Sequence, residues 1–198
     1  MSKIKRTAIS ISLFGESNVG KTCICGAFLG LDFLEEYLSS VGIEKMSSEI
    51  TIETGQTLKI KLWDTAGQER FRSISLNLLK SSQAAVVVFD LTNKTSFNKV
   101  MNWLKEIREY STKLPVGLFG NKSDLDKRAV TQEEINDLCK KENLIYFETS
   151  AKNNSGIKEG FTKLASLAYK EFENEEKKGE ELKIEKKNNE KVKKRSFC

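Results

Sequence analysis

Apolar and polar residues alternate at the start of the chain. In TAISISLF, residues 7 to 14, Ile9, Ile11 and Leu13 fall on one side and Ser10 and Ser12 on the other, and a period of two predicts a strand. Residues 47 to 53 and 57 to 63 predict two more, joined by a hairpin turn at Thr54, Gly55 and Gln56. AAVVVFD (84 to 90) and VGLFG (116 to 120) are continuous apolar runs, which suits strands covered on both faces, and LIYFE (144 to 148) predicts a sixth strand. Between the strands the spacing lengthens to three and four. Phe97, Met101, Leu104 and Ile107 share one helical face; Thr131 and Glu134 form a capping box ahead of Ile135, Leu138 and Cys139; Ile157, Phe161, Leu164, Ala168 and Phe172 line a last helix.

Strands alternating with helices, around central strands that are apolar throughout, predict an α/β fold. The expected architecture is three-layered: a six-stranded, mostly parallel sheet with one antiparallel edge strand and helices on both faces. In such folds ligands sit beyond the carboxyl ends of the strands. From residue 173 the pattern dissolves into Glu, Lys and Asn. A segment of that composition cannot bury enough surface to order itself, so the expected organisation is one domain over 1–172 and a disordered polybasic tail over 173–198 ending in a cysteine.

Composition narrows the chemistry. Hydrophobic residues at 38% and charged residues at 31% of 198 fit a globular chain, and no apolar run approaches the roughly 20 residues of a membrane-spanning helix. The start, MSKIKRTAIS, lacks a signal-peptide core, and Ser2 excludes N-myristoylation, so a cytosolic chain is expected. Cys23, Cys25, Cys139 and Cys198 match no disulfide framework or zinc spacing, and the first three read as small buried apolar groups. Histidine is absent, which excludes serine–histidine hydrolysis and histidine acid–base or metal chemistry; a metal must be held by oxygen. Residues 183 to 198 carry seven basic against two acidic side chains, the whole +5 of the chain. The body is therefore neutral, which speaks against nucleic acid as a partner.

GESNVGKT, residues 15 to 22, fits G-x-x-x-x-G-K-[ST] between a predicted strand and a predicted helix. Gly15 and Gly20 let successive backbone N–H groups turn inward on an anion at a helix amino end. Ser17, Asn18 and Val19 complete the loop, Lys21 would reach β and γ phosphates, Thr22 would ligate Mg²⁺, and Cys23 follows in the same cofactor-binding run. NKSD, 121 to 124, follows an apolar strand; Asp124 could accept from the ring N–H and exocyclic amine of guanine, donors that adenine does not present. WDTAG, 63 to 67, ends a strand with Asp64, which can hold the Mg²⁺ water shell, and Gly67, whose N–H can face a γ-phosphate; Gln68 can orient water for in-line attack.

GESNVGKT, WDTAGQERF, NKSD and ETSAK (148 to 152), in this order and spacing, resemble the small GTPases of the Ras superfamily, and WDTAGQERFRSI with VVFDLT and SFNKVMNWL resembles its Rab branch. The resemblance covers residues 7 to about 172. It implies a G domain that binds GTP and GDP with Mg²⁺. It implies that Ser150, Ala151 and Lys152 help hold the guanine, that Asn121 and Lys122 brace the base-binding loops, and that Phe33 stacks on the base. It places a first switch loop at 35–45 and a second at 65–80, with Ser40 on Mg²⁺ and the γ-phosphate where the family usually has threonine. The implied partners are an exchange factor, a GTPase-activating protein, effectors and a prenyl-chaperone, for a monomer.

Departures concern partners. Ile43, Glu44, Lys45 and Met46 stand where an aromatic is usual, and Leu78, Leu79 and Ser81 replace paired tyrosines and a glycine, so of the usual trio Trp63 remains. The interval from Gly42 to Trp63 is one residue longer than usual, which leaves the register of the first hairpin open. VKKRSFC sets the terminal thiol of Cys198 after Lys193, Lys194 and Arg195, where the resemblance implies geranylgeranylation; a lipid plus a polybasic segment suffices to hold an anionic membrane surface. An unmodified tail is the alternative. Three functions fit these residues: a GTP-hydrolysing switch on vesicle membranes, a guanine-nucleotide-dependent binding module that scarcely hydrolyses, or an ATP-using kinase built on the same loop. NKSD and ETSAK speak against the third, and Gln68 favours the first over the second.

Overall fold

Val86 and Val88 pack with Ile9, Ile11, Leu13, Ile24 and Phe161, while their chain neighbours Ala85, Val87 and Phe89 pack with Trp103, Leu104 and Ile107. Successive side chains of a strand point to opposite faces, so an uninterrupted apolar run is what a strand shared by two cores requires. A computed structural model describes residues 8–33, 43–65 and 77–174.

The strands are β1 (Ala8–Phe14), β2 (Ile43–Thr51), β3 (Thr57–Thr65), β4 (Ala84–Asp90), β5 (Val116–Asn121) and β6 (Ile145–Glu148), in the spatial order β2-β3-β1-β4-β5-β6. All neighbours pair in parallel except β2, which runs antiparallel to β3 at the edge. The helices are α1 (Lys21–Phe28), α2 (Lys94–Asn98), α3 (Val100–Tyr110), α4 (Gln132–Glu142) and α5, residues 157–174, with a short 3₁₀ turn at Leu78–Ser81. The core on the α1 and α5 side holds Ile9, Ile60, Leu118's neighbour Phe119 and Leu164; the other holds Phe14, Leu118, Trp103 and Ile135. This is the expected fold class.

Two expectations need correction. The second strand starts at Ile43 rather than 47 and ends at Thr51, and the turn occupies 52–56, closed by Ile52 N–H donating to Gln56 O (3.0 Å) and Gly55 N–H to Ile52 O (2.8 Å). Lys45-Met46-Ser47-Ser48-Glu49 carries almost no apolar alternation because its side chains lie at a sheet edge; the ladder to β3 holds it. That ladder sets Lys45 opposite Trp63 and Glu49 opposite Lys59, which fixes the open register. Lys45 Nζ lies 5.4 Å from the Trp63 ring centroid.

The helix expected through Phe97 and Met101 is two helices, broken at Lys99. The Asn93 side chain accepts from Thr95 N–H (3.0 Å) and Ser96 N–H (3.3 Å), capping α2, and α3 buries Val100, Trp103, Leu104 and Ile107 while leaving Met101 38% exposed. The Thr131–Glu134 capping box is present, and Ile157, Phe161, Leu164 and Ala168 are buried as the spacing predicts. Cys25 is buried, whereas Cys23 and Cys139 are half-buried. Among the described residues no helix is long and apolar enough to cross a membrane.

Because β1, β3, β4, β5 and β6 are parallel, Phe14, Thr65, Asp90, Asn121 and Glu148 end at one edge of the sheet. The sequence motifs begin at those ends.

Candidate functional site

The chain leaves β1 at Phe14 and enters α1 at Lys21, turning through residues 15–20 with φ of 138° at Gly15, 63° at Asn18 and 94° at Gly20. Space as well as angle requires the glycines. A Cβ on Gly15 would stand 2.2 Å from Val88 O, and one on Gly20 2.4 Å from Asn121 Nδ2. The loop is thus seated on β4 and β5. Ser17 and Asn18 are exposed at its tip and Val19 is buried beneath it. No side chain caps the amino end of α1 and no acidic residue lies in its first turn, which leaves the partial positive charge of that end for an anion.

Lys21 folds back over the loop, its Nζ donating to Gly15 O (3.0 Å) and Glu16 O (2.8 Å). Burial pushes this ammonium down to about 8, against the opposing attraction of Asp64 and Glu16. Thr22 Oγ1 donates to Asp64 Oδ2 at 2.5 Å, bringing a hydroxyl from α1 to a buried carboxylate on β3. Thr65 Oγ1, next along, donates to Leu13 O at 2.6 Å and ties the end of β3 to β1. The two oxygens of Thr22 and Asp64 fit a hard cation such as Mg²⁺, which takes few protein ligands and keeps water for the rest. Among the described residues no larger cluster of Cys, Asp or Glu competes for a metal. Burial and Asp64 raise the Cys23 thiol above its ordinary value.

Asn121 joins this phosphate loop to the base-side motifs. Buried at 1% exposure, its Nδ2 donates to Val19 O (2.9 Å), while its Oδ1 accepts from Ala151 N–H (3.2 Å) and Thr149 Oγ1 (3.4 Å). Ser150 Oγ donates to Asp124 Oδ1 at 2.5 Å and accepts from Asn153 N–H at 3.0 Å. Lys122, at φ 66°, pairs with Asp90 Oδ2 at 2.7 Å, and Thr92 donates to the other Asp90 oxygen from N–H and Oγ1. Ala151 is buried and Lys152 exposed. Phe33 is 39% exposed, with no ring partner among the described residues.

The structure therefore brings Gly15, Gly20, Lys21, Thr22, Asp64, Asn121, Lys122, Asp124, Ser150 and Ala151 to one edge of the sheet. Ser40, Gly67, Gln68 and Cys198 lie outside the described residues. Sequence reasoning missed Asp90, Thr65 and the pair Glu16–Trp103, whose side chains bond at 3.1 Å. Asp90 was within reach: a carboxylate closing a buried parallel strand stands at the ligand-facing edge by topology.

The model of the Ras family matches residues 10–170. The chain is 36% identical over 167 residues to the Ras-related protein Rab-13 of Bos taurus, covering 83% of this chain and 82% of that protein. It is 39% identical over 169 residues to the GTP-binding protein YPT53 of Saccharomyces cerevisiae, covering 81% and 76%. It is 36% identical over 177 residues to the Ras-related protein Rab-27A of Rattus norvegicus, covering 83% and 80%. The chain belongs to the Ras family, as a small GTPase of its Rab branch.

Proposed function

We infer that this chain is a switch of vesicle-mediated membrane traffic that binds GTP or GDP and hydrolyses GTP to GDP and phosphate. One observation carries the reading: Asn121 bonds Val19 of the phosphate loop on one side and Ala151 of the base motif on the other, which ties the two half-sites together, and we read them as one cleft. In that cleft the N–H groups of the loop and α1 surround the phosphates. Lys21 supplies positive charge beside the terminal ones. Asp124, oriented by Ser150, accepts from guanine, with Lys122, Ala151 and Lys152 around the base and Phe33 against its face.

Thr22 and Asp64, with Ser40, would hold Mg²⁺. When bound, that ion offsets charge on the β and γ phosphates. Phosphoryl transfer through a loose transition state asks the protein mainly for positioning and charge stabilisation. We assign Gln68 the placing of the attacking water, and Ser40 and Gly67 the reading of the γ-phosphate that separates the on and off forms. The phosphate loop, 15–22, and the first switch, 35–45, contain no arginine to offer that phosphate, so unaided turnover is slow and a GTPase-activating protein accelerates it.

The domain is assigned to 1–172 and the tail to 173–198, with Cys198 prenylated beside Lys193, Lys194 and Arg195 and the protein held on the cytoplasmic face of intracellular membranes as a monomer delivered by a prenyl-chaperone. An exchange factor loads it. Effectors meet Lys45 over Trp63 rather than an aromatic pair, and so differ from those that read aromatics there. Single-turnover hydrolysis of GTP with Gln68→Ala tests the enzymatic part: the variant should keep GTP and lose turnover. No turnover by either protein would leave a binding module without hydrolysis, and equal measurable rates would remove Gln68 from the reaction.

A further inference from the structure

Glu16 stands inside the phosphate loop, between Gly15 and the exposed tip at Ser17. A carboxylate there has the same sign as the polyphosphate the loop is built to receive. The structure shows where that charge is kept. Trp103, on α3, donates from Nε1 to Glu16 Oε1 at 3.1 Å, across 87 positions of sequence. The donor is rigid: Trp103 is 3% exposed, its ring centroid lies 6.0 Å from that of Phe14 at the end of β1, and Val100, Leu104 and Ile107 pack in the same core. Glu16 is held at its other end too, since its main-chain carbonyl accepts from Lys21 Nζ at 2.8 Å. One residue thus links the α3 core to the lysine of the loop.

We propose that Trp103 is a positioning residue for nucleotide binding, acting through Glu16: its indole N–H holds the carboxylate on the α3 side of the loop, away from the polyphosphate, and keeps the Glu16 carbonyl in place for Lys21. The proposal rests on the phosphate-loop reading above. Its consequence is electrostatic. A carboxylate released from Trp103 repels a triphosphate more than a diphosphate, and does so more at low ionic strength, where screening is weaker.

The test uses the full chain and three variants: Trp103→Phe, which keeps a ring in the core and deletes the donor; Glu16→Gln, which keeps an acceptor oxygen and deletes the charge; and the two combined. The readouts are the release rates of fluorescent GDP and of a fluorescent non-hydrolysable GTP analogue at low and high salt. A hydrogen bond to a charged group is worth about tenfold in an equilibrium, so Trp103→Phe should speed release about tenfold, with the larger effect on the triphosphate and at low salt. In the Glu16→Gln background the same substitution should change release little. An acceleration that is equal for both nucleotides, indifferent to salt and undiminished in Glu16→Gln would make Trp103 a packing residue and overturn the proposal. A measurement free of the core substitution is the indole N–H resonance of Trp103 in the otherwise unaltered chain. It should shift in Glu16→Gln and on nucleotide loading, and a resonance blind to both contradicts the proposal. Failure of the unaltered protein to retain GDP at all would instead overturn the phosphate-loop reading itself.

Discussion

At the scale of single residues, the site depends on buried polar groups that have little room to rearrange. Asn121 serves Val19, Thr149 and Ala151 at once. Asn121→Ala strands the Val19 carbonyl and the Ala151 N–H, and each buried orphan costs about 1–3 kcal/mol. Denaturant unfolding should show a loss of about 2–6 kcal/mol, and GDP release should quicken by more than the loss of fold stability explains, because the two half-sites come apart. Gly20→Ala behaves differently. Its Cβ would meet Asn121 Nδ2 at 2.4 Å, at a φ of 94° that L residues rarely adopt. The strain falls on the loop and on the Asn121 side chain against it, so nucleotide binding should be lost and stability lowered while the circular dichroism spectrum stays that of the folded chain. Glycine spacing made this loop legible in the sequence. The bond between Trp103 and Glu16 was not legible, because nothing local records a contact made between a strand-to-helix turn and a distant helix.

At the scale of elements, legibility followed how a segment is held. β4 and β5 are buried on both faces and their apolar runs say so. The edge strand β2 is held by its ladder to β3, which leaves no trace in side-chain polarity, so its start was misplaced. The break at Lys99 was hidden because Phe97, Met101, Leu104 and Ile107 also fit one unbroken helix; the second helix instead turns Trp103 inward and Met101 outward. Helix α4 is the opposite case, since its capping box is written in Thr131 and Glu134. Thr131→Ala should lower stability by about 1 kcal/mol in thermal or denaturant unfolding. The Lys94 ammonium and the Thr131 N–H hold the Glu134 carboxyl below its ordinary value. A carboxyl depressed in the folded state stabilises above its unfolded pKa, about 4.3, and that contribution fades as pH falls through the folded value. The difference in melting temperature between the unaltered protein and Glu134→Gln should therefore be present near neutrality and vanish in strong acid.

Across the whole molecule, one sheet feeds two cores and one edge. Phe119 is fully buried in the α1 and α5 core, 5.3 Å from the Phe161 ring and 5.8 Å from Phe147, two positions before Asn121. Phe119→Ala should cost about 3–5 kcal/mol, a large part of the roughly 5–15 kcal/mol that holds a domain folded. GDP with magnesium should recover part of that loss, because a ligand that binds the folded state alone stabilises it in proportion to its concentration. Packing and binding are coupled through the strand that carries both Phe119 and Asn121. The fold class was legible because element order and burial pattern determine a parallel sheet, and the ligand edge follows from that topology.

The central claim is that the phosphate loop and the Asp124 motif make one cleft selective for guanine nucleotides. Competition binding tests it most directly: the magnesium-loaded protein, charged with fluorescent GDP, is titrated with unlabelled GDP and with unlabelled ADP. A site whose half-buried carboxylate is left short of donors by the wrong base should prefer GDP by about 10⁴ or more, and Asp124→Ala should erase most of that preference. Displacement by ADP at concentrations comparable to GDP would contradict the account.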